Sequence, residues 1–102
     1  MDVIKPGTKQ WRDAVKDMKS PGKGKNYRVS SQADAERLLR ESKGNMPKKA
    51  TCTDDPYKKG YEVHPNEAHI KNAPHNDLPH IKWKDWEGGK SSGGNGHSFF
   101  DD

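Results

Sequence analysis

Five histidines, His64, His69, His75, His80 and His97, all lie beyond residue 63 of this 102-residue chain. Histidine is the side chain whose ordinary pKa sits nearest neutral pH, so a cluster of them can donate protons, accept them or bind a metal. In Leu78-Pro79-His80-Ile81-Lys82-Trp83-Lys84, strand alternation puts His80, Lys82 and Lys84 on one face and Ile81 and Trp83 on the other. Imidazole beside ammonium suits a phosphodiester: histidine moves the proton and Lys82 offsets the charge that gathers on the phosphorane. Taken alone, the same pattern describes an ordinary wet sheet face. Gly96-His97-Ser98-Phe99-Phe100 supplies a second strand, and if the two strands pair, His97 approaches His80 across the sheet. Two histidines in one cleft provide a base and an acid without a metal, as RNA cleavage by 2′-hydroxyl attack requires. His64, exposed at a strand end before Pro65, is the third catalytic candidate.

The remaining motifs are weaker. His75 lies in Pro74-His75-Asn76-Asp77, where a turn role competes with contact to nucleic acid, and His69 reads as a surface residue. His64-x4-His69 and His75-x4-His80, with Glu67 and Asp77 nearby, invite a metal reading. Paired histidine ligands need a helix to hold them on one face, and Pro65, Pro74 and Pro79 oppose one, so no metal ligand and no cofactor is assigned. No helix follows the candidate hairpin, which argues against a ββα metal nuclease. Gly89-Lys90-Ser91 looks like the end of a phosphate-binding loop, but the glycine that pattern needs falls at position 84, which is Lys. Lys84, Lys90, Ser92 and Asn95 remain candidates for contact with a phosphate backbone, against the plainer reading of a flexible linker. Cys52, between two threonines, is a possible nucleophile for one histidine, but a lone loop cysteine is usually incidental.

What must hold these groups is a small domain. Leu, Ile, Val and Phe make up only about 12% of the chain, below the roughly 20% that warns of disorder. A net charge of only +4 and three Trp with three Tyr favour a folded but thinly cored single domain over residues 1–102. The 19 Lys and Arg favour a polyanionic partner, against 15 acidic residues that favour a merely solvated surface. One cysteine excludes an internal disulfide, and no apolar run is long enough to span a bilayer. Trp11, Val15 and Met18 mark one face of a first helix after Thr8, and Ser30-Ser31 caps a second with Ala35, Leu38 and Leu39 inward. Tyr27-Arg28-Val29 and Tyr61-Glu62-Val63-His64 read as short strands, and residues 46–60 as loop. Leu78 to Trp86 and Gly96 to Phe100 form a hairpin whose linker, Glu87 to Asn95, predicts a mobile tip. The expected fold is α+β: two N-terminal helices (scaffold, 1–45) on a small, mainly antiparallel sheet that carries the site (61–102).

Through Tyr61-Glu62-Val63-His64-Pro65-Asn66-Glu67, Leu78-Pro79-His80-Ile81-Lys82-Trp83 and Gly96-His97-Ser98-Phe99-Phe100-Asp101, the chain resembles the C-terminal toxin modules of bacterial polymorphic toxins. These are carried at the tips of LXG, Rhs and contact-dependent inhibition proteins, and the resemblance spans roughly residues 27–102. It implies an interbacterial nuclease toxin, secreted as the tip of a larger protein, acting in the target-cell cytoplasm and silenced by a cognate acidic immunity protein. The family's histidines would fall on His64, His80 and His97. The leading expectation is a metal-independent ribonuclease with His80 and His97 sharing the base and acid roles, Lys82 stabilising the phosphorane and His64 assisting. A metal-dependent DNase and a non-catalytic basic module that binds nucleic acid or protein are the alternatives.

Overall fold

Thr8 and Ser31 each start a helix in the same way. The hydroxyl of Thr8 accepts from the Trp11 N–H and that of Ser31 from the Asp34 N–H, satisfying amides that have no partner inside the helix. A computed structural model describes residues 2–66 and 78–101. In it α1 runs Lys9–Lys19 and α2 runs Gln32–Lys43, with Gly44 in a left-handed conformation (φ 74°) ending the second. Between them lies β1, Lys25–Val29; after them come β2, Lys59–His64, β3, His80–Asp85, the one-turn α3, Lys90–Gly93, and β4, Asn95–Phe100. The class is α+β.

The four strands form one sheet in the order β1-β4-β3-β2. β2–β3 and β3–β4 are antiparallel, but β1 runs parallel to β4, from Lys25 opposite Gly96 to Val29 opposite Phe100. The sheet is therefore mixed, not mainly antiparallel. The physical reason is the path of the chain: α2 follows β1 and carries it away from the hairpin, so the strand that later settles beside β1 can run in its direction. The helices are also not one N-terminal block, because β1 separates α1 from α2 and α3 falls late in the chain.

One sheet face takes Val29, Ile81, Trp83 and Phe100, which pack with Trp11, Ala14, Met18, Ala35, Leu38 and Leu39 into a single core. The opposite face carries the polar row. Both edges are covered: Ile4 N–H donates to the Arg28 carbonyl beyond β1, and Lys49 N–H donates to the Tyr61 carbonyl beyond β2.

The linker expected to form a mobile tip is instead tied down. Asp85 N–H donates to the Gly94 carbonyl, and the Lys43 ammonium donates to the Gly93 carbonyl at 2.9 Å and pairs with Asp85 at 3.4 Å. A Cβ on Gly93 would collide with the Asp85 carbonyl, so this close approach depends on glycine.

Candidate active site

Alternation along the strands assembles the polar face. β2 contributes Glu62 and His64, β3 contributes His80, Lys82 and Lys84, and β4 contributes Asn95, His97 and Phe99. Register sets their neighbours: His64 lies opposite His80 and His80 opposite Phe99, while Glu62 lies opposite Lys82 and Lys82 opposite His97. Three imidazoles follow in a line. The His64 and His80 rings stack at 5.3 Å between centroids, and the His80 and His97 rings meet edge to face at 5.5 Å. Phe99 packs beside both His80 and His97. Lys82 is thus flanked by a carboxylate strand on one side and an imidazole strand on the other, each about 4.8 Å away.

Hydrogen bonds decide which nitrogen of each neutral ring can accept a proton. Nδ1 of His80 lies 3.0 Å from the Leu78 carbonyl, which only accepts, so Nδ1 carries the proton and Nε2 is the basic nitrogen. The backbone N–H of His97 donates to Oδ1 of Asn26, and Nδ1–H of His97 donates to the same oxygen at 3.2 Å, again leaving Nε2 basic. His64 is turned the other way. Its Nε2–H donates to Glu62 Oε2 at 2.8 Å, and Nδ1 faces the Cys52 thiol at 4.0 Å. The other Glu62 oxygen accepts the Thr53 N–H at 3.4 Å, so the loop before β2 helps to hold the carboxylate.

That loop closes over the face. A cleft of about 360 Å³ is lined by Cys52, Asp54, Asp55, Tyr57, Glu62, His64, Lys82 and Lys84 among others. Burial raises the pKa of the Tyr57 hydroxyl, and the negative charge of Glu62 raises it further. Cys52 adopts a left-handed backbone conformation at φ 58°, uncommon for a residue with a side chain.

His80, His97, His64 and Lys82 therefore converge on one face, as does Lys84. His64 differs from expectation in being only 8% exposed, because the loop and Glu62 enclose it. Lys84 and Lys90 sit over the Trp86 ring at 4.9 and 5.1 Å. Oδ1 of Asn95 accepts from the Gly24 N–H, and Ser92 donates its hydroxyl to the Gly89 carbonyl, closing the turn that starts α3. His75 and His69 lie outside the described residues.

Glu62 and Asn26 were not singled out together with the histidines, and Cys52 only as a weak nucleophile candidate. For Glu62 the signal was available, since Glu62 and His64 are two apart on a strand and share a face. For Asn26 and Cys52 it was not, because their positions depend on parallel pairing and on a loop without periodicity. Among the described residues, no three or more His, Cys, Asp or Glu side chains are grouped to hold a metal ion, and no helix is long and apolar enough to cross a membrane. Comparison with protein-family models, with curated proteins and with solved structures gave no match to this chain.

Proposed function

We propose that this domain is a metal-independent ribonuclease, and the observation that carries the reading is Lys82 seated between the Glu62–His64 pair and His97. Cleavage by 2′-hydroxyl attack needs a base on one side of the phosphate, an acid on the other and a cation between them. His97 and the Glu62-oriented His64 take the two proton-transfer roles, and Lys82 takes the charge that builds on the phosphorane oxygens. His80, 5% exposed and in contact with His64, His97 and Phe99, holds the two outer rings at their spacing. The test is incubation with RNA and with DNA, each with and without EDTA. Cleavage of RNA alone, unaffected by EDTA, is the expected result; loss in EDTA, or cleavage of DNA, moves the reading to a metal-dependent DNase.

The toxin context belongs to the same proposal: delivery as the tip of a larger secreted protein, action in the target-cell cytoplasm, and an acidic immunity protein over the histidine face. Such an inhibitor places carboxylates against Lys82 and Lys84, so its association is fast and salt-sensitive. Charge reversal at both lysines should weaken cleavage and inhibitor binding together; unchanged inhibitor affinity would put its footprint elsewhere.

A second reading has its own observation. Cys52 Sγ, His64 and Glu62 form a thiol–imidazole–carboxylate series, with the thiol 4.0 Å from the imidazole and the imidazole 2.8 Å from the carboxylate. That order can activate a cysteine for acyl transfer. Cys52→Ser separates the two: ribonuclease activity survives it, whereas a thiol-based activity does not.

A further inference from the structure

The polar row of β3 continues past Lys84 to Trp86, and there the surface opens into a second cleft. Its volume is about 560 Å³, and among the described residues it is lined by Pro21, Gly22, Lys23, Trp86, Lys90, Ser91 and Asn95, none of them a carboxylate. The geometry points to a nucleobase subsite, with Trp86 as the stacking platform for an unpaired base of a single-stranded RNA. The inference rests on the ribonuclease reading for its substrate and extends it by saying where a neighbouring nucleotide sits.

Four observations carry it. The backbone that carries Trp86 is held before any ligand arrives, since its main-chain N–H donates to the Lys58 carbonyl and its main-chain carbonyl accepts from the Gly89 N–H. A platform fixed in advance loses little freedom on binding. Ammonium groups lie over the ring, Lys84 at 4.9 Å and Lys90 at 5.1 Å, so a stacking base must displace a flexible lysine side chain, whose charge then stays close to the phosphates beside that base. Asn95 faces the cleft, and because its Oδ1 is engaged by the Gly24 N–H, its amide N–H₂ is the end that can donate to a base edge. Lys84 also lines the Lys82 cleft and lies 4.3 Å over the Tyr57 ring, so one cation is shared by the two clefts. At about 3.3 Å per strand residue, Trp86 is about 13 Å along the sheet from Lys82, within reach of one continuous strand of RNA. A neutral ligand would have no use for three lysines, and a duplex would keep its bases stacked away from the indole.

The test uses the intact domain and a short 2′-O-methyl oligonucleotide, which binds but lacks the attacking hydroxyl. Trp11 and Trp83 are 2% and 0% exposed, so quenching on contact reports Trp86. Saturable quenching is expected, with Trp86→Phe binding near wild type and Trp86→Leu about five- to hundredfold weaker, the range for one lost base stack. Trp86→Leu keeps apolar bulk in place of the ring, and its circular dichroism and Tm confirm that it folds. In cleavage of unmodified RNA, its loss should fall on KM rather than kcat. Equal binding by Trp86→Leu overturns the proposal. So does equal quenching by inorganic phosphate or dextran sulfate, which would mean charge alone, or equal quenching by blunt duplex RNA. If the domain cleaves no RNA while Trp86→Leu still weakens oligonucleotide binding, the ribonuclease reading falls and the base subsite stands. If RNA is cleaved and Trp86→Leu changes nothing, the reverse holds.

Discussion

His97 and His64 lie on the strands that flank Lys82, His97 directly opposite it and His64 two residues beyond the opposed Glu62, and their separate hydrogen bonds make them separable by mutation. His97→Ala and His64→Ala should each lower kcat/KM about 10²–10⁴-fold, the usual worth of one general acid or base, with circular dichroism unchanged. Losses below tenfold in both would remove them from the reaction. His80→Phe keeps a ring between them and should cost less; a loss matching that of His97→Ala would move proton transfer onto His80. One group must start protonated and the other unprotonated, so kcat/KM against pH should be bell-shaped. A rate that climbs steadily into alkaline pH would point to a different base. Cys52→Ser should leave RNA cleavage within a few-fold of wild type.

At the scale of elements, stability depends on a few identifiable contacts. Ser31→Ala removes the cap of α2 and should cost about 1 kcal/mol in urea unfolding. Ser98 makes an opposite case. It is fully buried on the core face of β4, and among the described residues its hydroxyl has no hydrogen-bond partner. Ser98→Ala should therefore raise stability by about 1 kcal/mol, and a loss would mean that the hydroxyl is satisfied after all. Both helices and the strands around Tyr27, Tyr61, Ile81 and Phe99 were legible in the sequence because caps and alternation are local signals. The parallel partnership of β1 with β4 was not, since nothing within Lys25–Val29 encodes a partner some seventy residues away. The Gly-rich linker misled for a related reason: Gly93 and Gly94 signal freedom when read locally, yet serve close approach to Asp85 and Gly22. The histidine row was legible by alternation, as was Glu62 two residues before His64, whereas Asn26 on His97 emerges only once strands pair.

Across the whole molecule, acid should release the ties that hold α1 to β1 and to α2. Burial works against ionisation of Asp17, but hydrogen bonds from the Tyr27 hydroxyl and the Lys25 ammonium outweigh it and hold the carboxyl below its ordinary 3.8. The Trp11 indole, then Arg37, hold Glu41 below its ordinary 4.5. A carboxylate whose pKa is lowered by folding stabilises the native state above its unfolded value and loses that contribution as pH falls through the folded one. The urea midpoint should thus hold steady down to about pH 5 and then fall, less steeply in Asp17→Asn. An equally steep fall in Asp17→Asn would exclude Asp17 as a contributor. The strand order has a consequence of another kind. Of the four described strands, the one latest in the sequence is an interior one, inserted between β1 and β3. Until it is made, β1 has only the bridge at Val3 and Ile4 and β3 has only β2. His97 arrives with that same strand, so the proposed proton-transfer face cannot form on a partial chain. Folding is accordingly a late, nearly all-or-none event with a high share of distant pairings, which predicts slow folding for a domain of this size. A chain stalled before Asn95 should be protease-sensitive, while a few residues more complete both the sheet and the proposed site.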